Sequence, residues 1–179
     1  SNIPIKILKG VIQTVTPRNL LREKMIEYLN INIDRDENIV IIADSLNLDI
    51  KNKLTSIFPN SIKIKPEFEG YVLPELLDSL LVDSLPNKVI VESEIFTLVS
   101  SIVSQLNSQI TPERDVRLYT TYKGNQYDDP SIDIKNLGDL RFTYPSISKK
   151  IRSDSITDFK ENYKDLFGSL PNSDVVRGY

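Results

Sequence analysis

The side chains in this sequence that could do chemistry are carboxylates and hydroxyls, because the 179 residues include no His and no Cys. Without those two, neither a Ser-His-Asp nor a Cys-His nucleophile system can be assembled, and thiolate chemistry and disulfides are excluded. A zinc centre of the usual nitrogen and sulfur kind has no ligands, so any metal would be a hard cation held by oxygen. The acids and hydroxyls gather where short apolar runs end: Asp44 and Ser45, Pro66 and Glu67, Glu92 to Glu94, Thr120 to Tyr122, and Tyr144 to Ser146. No G-x-G-x-x-G or G-x-x-x-x-G-K-[ST] loop accompanies them, so the common phosphate cradles are missing.

Asp44 at the end of an apolar run is where a phosphoryl-accepting aspartate would stand. That chemistry needs a second acid for magnesium, for which Glu92 is the candidate, and a lysine at a later run end to hold phosphoryl oxygens. No lysine directly follows Tyr119 or Tyr144, so the favoured role for Asp44 is to cap the helix beginning near Ser45 or Leu46. Glu92 and Glu94 flank Ser93 where the chain leaves a strand, and the favoured reading is a helix-start charge and a solvated side chain rather than a paired-carboxylate unit. Tyr122 and Tyr144 offer flat apolar faces with a hydroxyl handle, suited to a small amphipathic ligand. For Tyr144 a second reading stands beside that one, in which the ring closes the top of the core. The candidate ligand-binding set is therefore Ser93, Tyr122, Tyr144, Asp44 and Thr121, with no catalytic residue, metal or cofactor expected.

These residues need elements to position them. Ile39–Ala43, Ile62–Ile64, Lys88–Val91, Val116–Tyr119 and Leu140–Tyr144 are rich in β-branched or aromatic residues and read as strands. Runs that are apolar on consecutive residues belong to a parallel sheet buried on both faces. Between them apolar residues recur at helical spacing: Leu46, Ile50, Leu54, Ile57; Leu73, Leu76, Leu77, Leu80, Leu81; and Ile95, Val99, Ile102, Val103, Leu106. Ser93 is placed to cap the third of these helices. An earlier helix is expected from Pro17 to about Asn30, capped by Thr16, with Leu21, Met25, Ile26 and Leu29 inward. A last one starts at Ser155 with Asp158, carries Phe159, Tyr163 and Leu166, and stops at Gly168 before Pro171. The segment 123–136 reads as a polar loop with at most a short helical turn. The expected architecture is a three-layer αβα sandwich around a five-stranded parallel sheet in the flavodoxin-like order 2-1-3-4-5.

Composition agrees with an ordinary globular domain: 22 basic against 25 acidic residues, interspersed, at a net charge of −3. That gives no basic stripe for nucleic acid. A chain this long buries roughly 70% of its unfolded surface and folds without a covalent staple. No run approaches the roughly 18 to 20 apolar residues of a membrane span. The opening Ser1-Asn2-Ile3-Pro4 lacks the features of a signal peptide, and the chain reads as a piece cut from a longer one, with any targeting segment outside it.

The stretch Asp158-Phe159-Lys160-Glu161-Asn162-Tyr163-Lys164-Asp165-Leu166-Phe167-Gly168-Ser169-Leu170-Pro171, closing on Gly178-Tyr179, resembles the F-x-x-x-Y-x-x-x-F-G-x-x-P … G-Y ending of type I periplasmic binding proteins. These are extracellular receptors of the leucine/isoleucine/valine-binding kind. Lys88 to Ser93 running into Phe96, Ser101 and Gln105-Leu106-Asn107 is similar to the family's strand-serine-helix step. Ile132 to Leu137 before Leu140 to Ser146 is similar to its loop and fifth strand. A closer similarity is to envelope proteins of Bacteroidetes type that join LysM repeats to such a module. The resemblance implies one lobe of a two-lobed receptor, spanning residues 17–170, with residues 1–16 and 171–179 as lobe-connecting segments. It implies a small ligand, often an amino acid or related metabolite, clasped by hinge closure, with Ser93, Tyr122 and Tyr144 at the gripping positions, in the periplasm or cell envelope. The alternative is a non-transport envelope scaffold on the same fold, with peptidoglycan or an envelope protein as partner. A lone lobe also exposes the surface its second lobe would cover, which leads to an expectation of homodimers.

Overall fold

The computed structural model describes residues 17–66, 71–146 and 154–169. The chain divides into two compact units, Ser1–Pro145 and Ser146–Tyr179. Residues 1–16, with the Thr16 cap, and 171–179 lie outside the described residues, as does Glu67.

The first unit is built on four parallel strands, β1 (Asn38–Ala43), β2 (Ile62–Ile64), β3 (Asn87–Glu92) and β4 (Val116–Tyr119), in the order β2-β1-β3-β4. The central β1 and β3 form where consecutive β-branched residues leave both faces apolar, whereas β2 and β4 at the edges are interrupted by Lys63 and Arg117. Pairing aligns Val40 with Val89 and Ile62, and Val89 with Leu118, and successive residues fall on opposite faces. On one face Val40, Ile42, Val89, Val91 and Leu118 pack with Leu77 of α3 (Pro74–Leu80) and with Leu98, Val99, Ile102 and Leu106 of α4 (Phe96–Ser108). On the other, Ile39, Ile41, Ile90 and Tyr119 meet Met25 and Leu29 of α1 (Arg18–Asn32) and Ile50 and Leu54 of α2 (Leu48–Ile57). Burial of each such Leu or Ile contributes about 1.5–3 kcal/mol. Among the described residues no helix is long and apolar enough to cross a membrane.

The fifth strand expected at Leu140–Tyr144 is not formed, and the sheet has four strands. The preceding helix α5 (Ile134–Asp139) uses those residues to end itself. The Phe142 N–H bonds to the Leu137 carbonyl and the Arg141 N–H to that of Gly138, both at 2.9 Å, while Arg141 takes φ +47°. This is a Schellman cap with arginine at the left-handed position glycine usually fills. What reaches β4 is the Leu140 carbonyl, which accepts from the Leu118 N–H at 2.9 Å, and Thr143, which forms a single parallel bridge to Tyr119.

Two helical stripes are also shorter than expected. Leu46 stands in a 3-10 turn (Ser45–Asn47) before α2 and is 83% exposed, and Leu73 and Leu76 are exposed beside buried Leu77. The loop 123–136 holds a 3-10 turn at Asn125–Asp128 and the start of α5. In the second unit α6 (Asp154–Phe167) carries the aromatic row Phe159, Tyr163 and Phe167, with ring centroids 5.9 and 4.5 Å apart. It closes on Gly168 at φ +72°.

Candidate functional site

Parallel register puts the ends of β1 and β3 level, Ala43 beside Glu92. Ile90 pairs with Tyr119, so Thr121 lies two residues further along, opposite Glu92. Glu92 therefore faces the α1 layer, as Ile90 does, and its carboxylate is buried at 1% exposure. It accepts from the Thr121 N–H at 2.5 Å and from the Thr121 hydroxyl at 2.7 Å, with the Thr120 hydroxyl at 3.5 Å. The Arg22 guanidinium stands 3.8 Å away. Burial pushes the Glu92 carboxyl above its ordinary range, against the pull of the Thr121 bonds and Arg22. The same burial lowers Arg22, opposed mainly by the charge of Glu92.

Arg22 reaches this position because α1 runs Met25 and Leu29 down the core and Arg22 lies one turn nearer the strand ends on the same stripe. It donates to Asn47 Oδ1 at 2.8 Å, and Asn47 donates to Asp44 Oδ1 at 3.0 Å. Asp44 Oδ1 also accepts from the Leu46 N–H at 2.9 Å, capping the 3-10 turn, while its Oδ2 is buried without a partner. A polar chain from Asp44 through Asn47 and Arg22 to Glu92 and Thr121 thus ties the ends of β1, β3 and β4 to α1.

A second, partly exposed layer lies outward. Arg18 pairs with Glu94 and lies over the Tyr122 ring, 4.4 Å from its centroid. Lys123 pairs with Asp128 and stands 5.3 Å from the centroid of the Tyr144 ring. Tyr144 is 38% exposed and ends an aromatic row in which buried Tyr127 stacks on Phe142 at 4.5 Å and Phe142 tilts against Tyr144 at 5.0 Å. Burial pushes the Tyr127 phenol far up. Gln126 donates to the Ser93 carbonyl at 2.7 Å and fixes the loop over the end of β3. A shallow, open depression remains among Arg18, Glu94, Phe96, Tyr122, Asn125 and Gln126.

Tyr122 and Tyr144 both lie in this outer layer, each with a cation over its ring; Tyr122 lines the depression, and Tyr144 stands outside its lining. Thr121 is fully buried, and its hydroxyl is committed to Glu92. Ser93, 6% exposed, accepts from the Ile95 N–H at 3.0 Å in a local turn; α4 begins later, after Ile95, without a side-chain cap. Asp44 belongs to the buried chain rather than to the rim. The expectation of a helix-start or solvated Glu92 is corrected: α4 has no acid in its first turn, and the sheet register turns Glu92 inward, whereas Glu94 is outward. Sequence reasoning missed Arg18, Arg22, Asn47 and Lys123. The signal for Arg22 was available, since a cation three residues before Met25 on an inward stripe demands a buried acid.

No protein-family model matches the chain, and comparisons with curated proteins and with solved structures give no match.

Proposed function

We propose that this chain is a ligand-binding lobe that holds a small polar solute at the carboxyl ends of β3 and β4. The observation that carries the reading is the rim itself: two tyrosine rings, each faced by its own cation, on a floor held by the buried Glu92 network. Open α/β sheets bind ligands at this end. A shallow wall of this kind needs an opposing surface, which a second lobe supplies on closure. The reading is of a receptor of type I periplasmic-binding kind, in the periplasm or cell envelope, without catalysis or cofactor. The likeness of the C-terminal sequence motif supports it. So do the strand order β2-β1-β3-β4 with helices on both faces and the Tyr119–Thr143 bridge where a fifth flavodoxin-like strand would run.

Leu46, 83% exposed after β1, and Ile95, 36% exposed after β3, favour a second reading in which this end docks an envelope protein or peptidoglycan as a scaffold. A thermal-shift screen of the full chain against amino acids, short peptides, nucleosides and peptidoglycan fragments separates the two. A solute at a hundredfold excess over its Kd stabilises by about 2.7 kcal/mol, a rise of roughly 5–10 °C for a chain of this size. The receptor reading expects such a rise, lost in Tyr122→Ala and Tyr144→Ala. No rise with any compound contradicts it and favours the scaffold.

A further inference from the structure

We propose that the solute carries a carboxylate, received by Arg18, and that Glu94 is the internal competitor for that position. The proposal rests on the reading of the strand ends as a solute site and names the chemistry the site selects.

Arg18 is the first residue of α1, whose N-terminus has neither a side-chain cap nor an acid in its first turn. The positive end of the helix and a guanidinium therefore coincide. The guanidinium lies on the Tyr122 ring, contacts Glu94 along one edge and leaves Nε without a partner. Guanidinium groups take carboxylates by up to two parallel N–H bonds, and Glu94 engages Arg18 by one, through Nη2. Its holder is free to leave: the Glu94 side chain is 53% exposed and that of Arg18 37%, and an ion pair between such groups is weak. An incoming carboxylate that swings Glu94 into water takes over its contact with Nη2, and a planar body attached to it lies against Tyr122 and Phe96.

An ammonium ligand fits the same place poorly. Both tyrosine rings already have a cation over them, Arg18 on Tyr122 and Lys123 on Tyr144, and a third positive group would meet like charge. Glu94 therefore acts in opposite senses for the two ligand types, obstructing an anion and assisting a cation.

Benzoate, benzamide and benzylamine carry one ring with three charges, and their titration into the full chain, followed by calorimetry and by amide shifts at 122–126, reads the selection. Benzoate binds tightest, by about tenfold over benzamide, because only it makes charge-assisted bonds to Arg18. Glu94→Gln tightens benzoate by up to about fivefold, the strength of an exposed ion pair. Arg18→Gln removes the preference for benzoate over benzamide, with circular dichroism confirming that both variants fold. Tighter benzamide or benzylamine binding at Tyr122, or weaker benzoate binding in Glu94→Gln, overturns the carboxylate assignment while the solute site stands. No shift at 122–126 with any of the three also overturns the assignment, and the receptor reading then rests on the wider screen.

Discussion

Replacing Thr121 with valine exchanges one hydroxyl for a methyl of nearly the same volume at a fully buried position, so no cavity opens. What is lost is the 2.7 Å bond to Glu92 Oε2, leaving that oxygen with only Arg22 at 3.8 Å. A hydrogen bond to a charged group is worth about 1.5–3 kcal/mol, against about 1 kcal/mol when the acceptor is neutral. The cost must therefore depend on the protonation of Glu92. Its folded pKa is raised, so its favourable contribution is fully present below the unfolded carboxylate range and is lost as pH rises through the folded value. Removing the Thr121 donor raises the folded value further, since that bond pulls it down. Urea unfolding followed by circular dichroism between pH 4 and 8 should show Thr121→Val less stable than the parent by about 1 kcal/mol at the acid end and about 1.5–3 kcal/mol at the alkaline end. At pH 7 that is a fall in midpoint of roughly 3–12 °C. In a Glu92→Gln background the difference should shrink to about 1 kcal/mol and lose its pH dependence. A destabilisation that is the same at every pH would refute the reasoning.

Asn87, with no exposed surface, joins strand and loop at the opposite end of β3. It accepts from the Val82 N–H at 2.8 Å and donates to the Val82 and Asp115 carbonyls at 2.8 and 3.0 Å. Asn87→Leu should cost at least about 2 kcal/mol in urea unfolding, since the Val82 N–H and carbonyl both lose their partner, while the Asp115 carbonyl keeps the Asn87 N–H. Arg141→Gly should stabilise by about 1 kcal/mol in the same assay, because a non-glycine residue at φ +47° bears a strain of that order. Leu46→Ser should change stability by less than about 0.5 kcal/mol, whereas Leu54→Ala at a site with no exposure should cost about 2–5 kcal/mol.

The two central strands were legible because Ile39–Ala43 and Val89–Val91 are apolar on successive residues, as strands covered on both faces are, and the edge strands at Ile62–Ile64 and Val116–Tyr119 because β-branched or aromatic residues flank Lys63 and Arg117. Leu140–Tyr144 carries the same kind of composition, yet its first residues complete the hydrogen bonds that end α5. Composition does not reveal that competition, because the left-handed residue is an arginine. Leu46 fits the helical spacing of Ile50 and Leu54, but Asp44 caps a 3-10 turn first and rotates Leu46 out of the stripe. At the site, the strand-end positions of Tyr122 and Tyr144 followed from the apolar runs before them. Their partners did not: Arg18 and Arg22 come from α1, seventy or more residues away from Glu92 and Glu94. Such pairs exist only once the sheet has brought the ends together.

The central claim is that the carboxyl ends of β3 and β4 form the binding face. Amide-shift mapping of the full chain with the strongest compound from the thermal screen tests it most directly. The account predicts shifts confined to residues 93–96, 122–126 and 143–144, abolished by Tyr122→Ala. Shifts centred instead on α3 or on the Asn87 end of the sheet would contradict it.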